Sequence, residues 1–470
     1  MKICTILYDT KHDCSLDSSF VITSTAGWIG LTNSNPTGAV NAQLTGTAEN
    51  AIFGAMNNAD AGTLTLEIVV GGEIKGKGQQ YSPSNDVAIA GGFATYNEKT
   101  KEHAKADAFN VYVNGGTVNG NIIGGSASGP VTIASVNLNI NSGIVDGSIY
   151  GGAMGETKST VGSAVIRVNG GRISGDIVAG GNGGTVGNAE VIISGGIIKG
   201  SITKGSATRM ENAVTSVTVD GNKASIGGNI EADKVTLKNV STSGYADGFD
   251  RYAGSISAPV VVLDNVQNNI LATLEGLESL SAVNASMAEI TAGDEMELQA
   301  LELGGGSSLG LFRSADHTVS TETETTLTVT DVLKVSGFGA VLNANLVMSV
   351  GSELNLSGNS LQLGSSLTLG GVALDETTVA MVTALEPGVS LTLFTGVDEL
   401  VIGGESRPGA LSADASVAFS NSELANGYRL VYEGRTTGKV SITAAAVPEP
   451  ASSMLALVGL VTLSFRRRRS

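Results

Sequence analysis

Residues 110–125 read NVYVNGGTVNGNIIGG, and four later stretches of the chain repeat this pattern with altered residues. Each copy alternates apolar and polar residues, turns at small residues, and then places one glycine between two apolar positions. These repeated glycines are 27, 28, 25 and 28 residues apart, at Gly120, Gly147, Gly175, Gly200 and Gly228. Spacing this regular indicates an internal repeat whose units stack on one another.

Two apolar columns flank the repeated glycine. One lies two residues before it, at Val118, Val145, Ile173, Ile198 and Ile226. The other lies two residues after it, at Ile122, Ile149, Ile177, Ile202 and Ile230. Because alternate side chains of a strand share a face, we predict that both columns point inward and form stacks.

A polar column lies six residues before the repeated glycine, at Asn114, Asn141, Asn169, Ser194 and Asn222. It falls where an alternating strand gives way to a turn, and asparagine and glycine both tolerate left-handed backbone. We predict a structural ladder in which these side chains hydrogen-bond up the stack. A ligand site at the same residues is the lesser alternative.

The repeat length restricts the fold. A unit of short alternating strands and glycine turns, about 27 residues long, is too short for a propeller blade and has no helical period. We therefore predict an all-β fold, a right-handed parallel β-helix or solenoid whose coils each add about 4.8 Å of rise. The 64 glycines and the 4% aromatic content are typical of a β-rich extracellular structural protein.

One charged stretch interrupts the repeats. It reads TYNEKTKEHAKADAF, residues 95–109, and its composition permits a helix. We expect it to project as a loop and to be the best candidate contact surface of the body.

The C-terminal residues 447–470 read VPEPASSMLALVGLVTLSFRRRRS. Pro448, Glu449 and Pro450 form a short stiff spacer, because proline fixes φ and lacks a backbone donor. The apolar stretch 451–465 would be about 22 Å long as a helix, short of the roughly 30 Å hydrocarbon core, which predicts a marginal single transmembrane helix. The positive-inside preference would keep the residues that follow on the cytoplasmic face: Arg466, Arg467, Arg468 and Arg469.

This succession of proline triplet, short apolar helix and arginines closely resembles the PEP-CTERM sorting signal of Gram-negative surface and exopolysaccharide-associated proteins. The resemblance implies a partner, exosortase, a membrane-embedded cysteine transpeptidase thought to cleave near the triplet. It also implies export, transient anchoring in the inner membrane through the helix, and residence at the cell surface or in the extracellular matrix, with extracellular polysaccharide as a candidate partner. The body resembles the passenger regions of autotransporter-like adhesins in repeat texture.

These patterns divide the chain into four predicted domains. The glycine repeats weaken towards the N-terminus, and after about residue 252 they give way to leucine-rich alternation. The predicted domains are 1–39, an uncertain N-terminal segment; 40–251, glycine-rich β-helix repeats; 252–446, a β-rich continuation and cap; and 447–470, the sorting signal.

The N-terminal segment does not match the implied export. It reads MKICTILYDTKHDCSLDSSF, in which only residues 3–8 form an apolar run, whereas a signal peptide needs a longer apolar core and a small-residue cleavage site. Either the natural start lies upstream or export is atypical, and we expect the former. The two cysteines, Cys4 and Cys14, lie in this segment and cannot form a disulfide framework.

Charge and histidine placement exclude several classes of protein. The chain has 27 basic and 44 acidic residues, a net charge of −17, so we predict no nucleic-acid partner. His12, His103 and His317 are scattered without metal-binding spacing, and we predict neither a metal nor a cofactor.

The function expected from these observations is a non-enzymatic, structural or adhesin-like surface protein. The alternative is a β-helix enzyme acting on polysaccharide, a lyase or glycosidase, with the same sorting tail. Such catalysis needs converging carboxylates or a basic proton acceptor. Asp146 and Asp176 flank successive repeated glycines, but one precedes its glycine and the other follows, so we predict solvated turns there and no catalytic residues.

Overall fold

Strands make up most of the described residues, which confirms the predicted all-β class. Contacts divide the chain into two compact units: unit 1, Met1–Ala292 with Ser314–Asp316, and unit 2, Gly293–Arg313 with His317–Ser470. The computed structural model describes residues 2–6, 20–25, 29–31, 38–56, 60–76, 86–93, 104–155, 158–241, 254–267, 274–292, 294–312, 325–402, 404–407, 409–425 and 427–445.

Unit 1 contains strands whose lengths vary from two to fifteen residues. They are β1 (Lys2–Ile6), β2 (Phe20–Thr25), β3 (Ile29–Gly30), β4 (Ala39–Ala48), β5 (Ile52–Met56), β6 (Asp60–Ile68), β7 (Glu73–Ile74), β8 (Val87–Phe93), β9 (Ala104–Val118), β10 (Asn121–Ser128), β11 (Val131–Val145), β12 (Ile149–Tyr150), β13 (Thr160–Val168), β14 (Arg172–Ile173), β15 (Ile177–Val178), β16 (Thr185–Ile193), β17 (Gly196–Ile198), β18 (Ile202–Thr203), β19 (Thr208–Arg209), β20 (Thr215–Asp220), β21 (Ala224–Ile226), β22 (Ile230–Glu231), β23 (Lys234–Lys238), β24 (Ile256–Ser257), β25 (Val260–Asp264), β26 (Leu274–Glu275), β27 (Ser279–Val283) and β28 (Met287–Thr291).

Each coil of the repeat region crosses two parallel sheets. In one coil, β13 and β14 belong to the first sheet and β15 to the second. Each segment pairs in parallel with its equivalents in the neighbouring coils: β13 with β11 and β16, β14 with β11 and β17, and β15 with β12 and β18. The chain therefore stacks coil upon coil, as the repeat predicts, and its right-handed sense stays a prediction.

The two predicted apolar columns are confirmed as buried stacks. Val118 pairs with Val145, and the column continues through Ile173 and Ile198 to Ile226. The second column runs from Ile122 to Ile230 in the same way and continues to Ile256. All of these side chains are 0–1% exposed. Burying one such side chain contributes about 1.5–3 kcal/mol, so the columns are a main source of stability for unit 1.

The repeated glycines mark a close approach between coils. A Cβ on Gly175 would lie 2.8 Å from the carbonyl oxygen of Gly147, and one on Gly200 would lie 2.6 Å from that of Gly175. Real Cβ atoms do not come so near a backbone oxygen, so any side chain would push the coils apart. The same crowding recurs at Gly254, which extends the glycine column beyond the five copies found in the sequence.

The predicted loop at residues 95–109 needs a correction. Residues 95–103 lie outside the described residues, but residues 104–109 form the start of β9, which pairs with β6 and β11. Ala104, Ala106 and Phe109 are buried. The prediction of a projecting, helix-permissive loop is wrong for this part, because Ala104 and Ala106 alternate with exposed Lys105 and Asp107 as in a strand that is buried on one face.

Parallel stacking continues past residue 251, where a domain boundary was predicted. β23 pairs in parallel with β25, and β25 with β27. The division by contacts falls near residue 292 and not at residue 251. The four predicted domains stay predictions.

Unit 2 begins as parallel coils and contains one α-helix among its described residues. Its elements are β29 (Glu295–Gly304), β30 (Ser308–Phe312), β31 (Thr326–Ser336), β32 (Ala340–Asn343), β33 (Asn345–Met348), β34 (Glu353–Asn355), β35 (Leu361–Leu363), β36 (Ser366–Leu369), β37 (Ala373–Leu374), α1 (Glu376–Thr383), β38 (Ser390–Thr395), β39 (Glu399–Ile402), β40 (Glu405–Arg407), β41 (Leu411–Asp414), short 3-10 turns at Ala415–Val417 and Ser422–Leu424, β42 (Tyr428–Tyr432) and β43 (Val440–Ala444).

The pairing in unit 2 changes direction towards its C-terminal end. From β29 to β39 the neighbouring strands of the first sheet are parallel, but β40 pairs antiparallel with β39. β38, β43, β42 and β41 form an antiparallel group in a separate, third sheet. We call this group, together with α1, the cap, because antiparallel strands end the run of parallel coils.

Within the described part of the chain, no helix combines the length and apolarity needed to cross a bilayer. The transmembrane helix predicted in residues 447–470 falls outside the described residues.

Candidate functional site

The polar column predicted from the sequence forms a chain of side-chain hydrogen bonds along one edge of the coils. Asn141 Nδ2 donates to Asn114 Oδ1 at 2.7 Å, and Asn169 Nδ2 donates to Asn141 Oδ1 at 2.7 Å. Ser194 Oγ donates to Asn169 Oδ1 at 2.8 Å. We call this chain the asparagine ladder. Each internal amide gives one bond and accepts one, so the ladder joins neighbouring coils.

The ladder extends to residues that precede Asn114 in the sequence, and it changes at Asn222. Asn114 Nδ2 donates to Glu67 Oε1 at 2.7 Å, and Gln43 Nε2 donates to Glu67 Oε2 at 2.9 Å. The carboxylate therefore accepts from two coils. There, the structure places Asn222 Oδ1 as the acceptor of the Ser241 N–H.

A second ladder was missed in the sequence, although a signal for it was present. The residue directly after each repeated glycine has a short side chain with an oxygen acceptor, and that oxygen accepts from the backbone N–H of its counterpart one coil later. The five bonds measure 2.8–3.1 Å and run in order along Asn121, Ser148, Asp176, Ser201, Asn229 and Ser255. We call this the acceptor ladder.

A third set of polar bonds lies where the asparagine column of the sequence stops. Asn239 Nδ2 donates to Asp220 Oδ1 at 2.8 Å, and Asn265 Nδ2 donates to Asn239 Oδ1 at 2.8 Å. Both asparagines have left-handed backbone, with φ of 51° and 54°. Asparagine occupies this conformation more readily than most residues, which explains its recurrence at the turn.

The two aspartates weighed as a catalytic pair have separate structural roles. Asp176 Oδ1 accepts the Ser201 N–H as part of the acceptor ladder. The Asp146 backbone bonds to Val118 and Gly120 of the preceding coil. Among the described residues, no three His, Cys, Asp or Glu side chains come together in a group that could hold a metal ion.

One cluster of opposite charges lies on the later coils of unit 1. Asp233 Oδ2 accepts from Arg209 Nη2 at 2.8 Å and from the Thr215 N–H at 2.6 Å, and Lys204 Nζ lies 3.4 Å from Asp233 Oδ1. The carboxylate thus joins three segments of chain. With both cations on one acid, the cluster cross-links the turn.

The end of β43 is the point where the body leads into the predicted sorting tail. The Ala444 carbonyl accepts from the Gly388 N–H at 3.2 Å, and the Ala445 N–H donates to the Gly427 carbonyl at 2.7 Å. Beside them, the Tyr428 hydroxyl donates to the Thr383 carbonyl at 3.4 Å. The chain is therefore held by the cap up to Ala445. The predicted sorting residues, the triplet at 448–450 and the arginines at 466–469, lie outside the described residues.

Comparison with known proteins identifies the tail. Residues 446–469 match the PEP-CTERM protein-sorting motif, so the predicted sorting signal is confirmed, and the resemblance of the body to autotransporter-like adhesins stays a prediction. This motif is a substrate signal for exosortase, and the chain has the tail of an exported protein that is sorted at the membrane. No curated protein and no solved structure matches the chain.

Proposed function

We propose that the protein is a non-enzymatic structural or adhesin-like component of the cell surface or extracellular matrix, with a right-handed β-helical body processed through its tail. The observation that carries this proposal is the adjacency of two parts. The sorting motif begins at residue 446, directly after Ala445, where the cap ends. The stacked body is therefore the part of the protein that the sorting tail would direct to the membrane.

The polar groups of the repeats support a structural role. The amides of the asparagine ladder and the oxygens of the acceptor ladder are engaged in bonds between coils, at 2.7–3.1 Å. General acid–base catalysis requires a titratable group positioned towards a substrate. Asp176, one of the two aspartates considered for that role from the sequence, accepts a hydrogen bond within the stack.

The stacked coils also suit repeated weak binding. Outward positions of successive coils repeat at about 4.8 Å, one strand spacing, so a chemical group on one coil recurs along the stack. A polymer with its own repeat, such as extracellular polysaccharide, can contact many such positions at once, and avidity then replaces a single strong site. Exosortase and the inner membrane would be transient partners during sorting.

The test is the mass of the mature protein. The intact mass and C-terminal peptides of protein from its native cells are compared with those of a Pro448→Ala, Glu449→Ala, Pro450→Ala variant. We expect the native form alone to lose the apolar tail. A Pro259→Ala, Glu278→Ala variant, which changes the same residue types in unit 1, should be processed normally. Retention of residues 451–470 in every form would contradict sorting by exosortase.

A further inference from the structure

The cap holds the chain firmly where the tail begins. The Ala444 N–H donates to the Val389 carbonyl at 3.4 Å, and the Ala445 N–H to the Gly427 carbonyl at 2.7 Å. We call the surface around this point the exit face: residues 386–389, Tyr428 and Ala444. The backbone is therefore hydrogen-bonded to the cap up to the residue before Ala446.

The sequence limits how far the exit face can stand from a membrane. Six residues lead from Ala445 to Ala451, where the apolar stretch begins. Fully extended, six residues span at most about 20 Å. The headgroup layer on one side of a bilayer takes up about 5–8 Å of that length. A tail that is embedded in the bilayer therefore holds the exit face within about 15 Å of the lipid headgroups.

The exit face has the composition of a surface that meets headgroups. Pro387 is exposed, and Val389 is 46% exposed although it is an apolar residue. Tyr428 is half-buried, and tyrosine is enriched at membrane interfaces because it has an apolar ring and a polar end. Glu386, also exposed, places one negative charge within the exit face.

We propose that the exit face docks on the non-cytoplasmic surface of the lipid bilayer while the tail anchors the protein. This inference rests on the proposed sorting of the tail. Its consequence is that exosortase reaches the triplet from within the membrane, beneath a folded cap. The short connection orients unit 2 with its cap towards the bilayer and its earlier coils away from it.

The experiment measures the depth of single labels on the full chain. Cys4→Ser and Cys14→Ser remove the native thiols, and Val389→Cys places an environment-sensitive nitrobenzoxadiazole dye on the exit face. Gln299→Cys is the matched control, an exposed residue on β29, four strand spacings or about 19 Å before β39 in the same sheet. Each labelled protein is reconstituted into vesicles of phosphatidylethanolamine and phosphatidylglycerol, with headgroup spin-labelled lipid as quencher. Far-UV circular dichroism and the urea midpoint establish that each variant is folded.

We expect the dye at position 389 to emit at shorter wavelength and to be quenched several-fold more than the dye at position 299. A linker of twenty Gly and Ser residues after Ala445 has a mean reach of about 25 Å and should abolish the difference while vesicle binding persists. Equal, water-like emission at both positions on bound protein would overturn docking and leave sorting intact. Failure of the full chain to bind vesicles would overturn docking as well, whereas the mass measurement tests sorting by itself.

Discussion

Asn141 shows how one side chain can connect three coils. Its amide donates to Asn114 and accepts from Asn169, both at 2.7 Å. Asparagine suits this role because its amide contains a donor and an acceptor in one rigid group. A serine, as at position 194, can end such a chain with a shorter reach.

Replacing Asn141 with alanine should therefore destabilise unit 1. Two side-chain bonds are lost at an exposed edge, each with a net contribution of about 0.5–1.5 kcal/mol, and we expect a total loss of about 1–2 kcal/mol in the free energy of unfolding. Urea denaturation measures it. Ser142→Ala, at the exposed neighbouring position, should change stability by less than about 0.5 kcal/mol. Equal effects of the two variants would contradict a stabilising ladder.

At the scale of the element, α1 depends on the residue before it. Asp375 is its N-cap, and Asp375 Oδ1 accepts the Thr378 N–H at 3.0 Å. Asp375 Oδ2 also accepts the Leu356 N–H at 2.9 Å, although Leu356 belongs to the preceding turn of chain. One buried carboxylate thus starts the helix and attaches it to a coil.

We expect Asp375→Ala to destabilise unit 2 by about 2–4 kcal/mol, since it removes a helix cap and leaves the buried Leu356 N–H without that partner. Asp375→Asn keeps one acceptor oxygen and should lose less. The measurement is urea unfolding followed by circular dichroism. Glu376→Ala, on the exposed first position of α1, is the control, and a comparable loss in that variant would count against the capping role.

Strand β42 contains a buried phenol. The Tyr432 hydroxyl lies 3.0 Å from the carbonyl oxygens of both Val397 and Asp398, and its side chain is fully buried. Burial raises the pKa of Tyr432 above the ordinary value of 10.0, with the nearby Asp398 and Glu399 charges acting in the same direction. The folded state therefore keeps this proton at a pH where the unfolded chain loses it.

The sign of the pH dependence follows from that raised pKa. The stabilisation is fully present below about pH 10 and is lost as the pH rises towards the folded-state pKa, because the folded state binds more protons there. We expect the stability of unit 2 to fall with a steeper slope above about pH 10 in the native protein than in Tyr432→Phe. Urea titrations at several pH values measure the slopes, and identical slopes would contradict this assignment.

At the scale of the molecule, stacked coils make unit 1 modular. Each coil contacts its neighbours through equivalent positions, so removal of one whole coil should preserve every type of contact. Removal of part of a coil shifts the inward columns out of register.

Two deletions test this modularity. Deleting residues 148–175, which are 28 residues, joins Gly147 to Asp176 and restores a repeated glycine followed by an acceptor. We expect a cooperative unfolding transition with lower stability, because one coil of buried area is lost. Deleting residues 148–161 removes half as many residues and should abolish that transition in circular dichroism. A cooperative transition in both deletions would refute the coil model of unit 1.

The sequence by itself determined the features that repeat or that are written in consecutive residues. The inward columns followed from glycine spacing and strand alternation, and the sorting motif followed from Pro448, Glu449, Pro450 and the segment after them. Such signals consist of consecutive residues or of a constant spacing, so they can be recognised without knowing which residues are in contact.

Only the tertiary structure decided which residues meet across coils. The acceptor ladder, the joining of Gln43 and Asn114 by Glu67, and the antiparallel cap all depend on contacts between distant residues. Ser, Asn and Asp suit turns, caps and surfaces alike, so their residue types do not select a partner. Backbone stacking selects it, because it brings residues 25–28 positions apart within hydrogen-bonding distance.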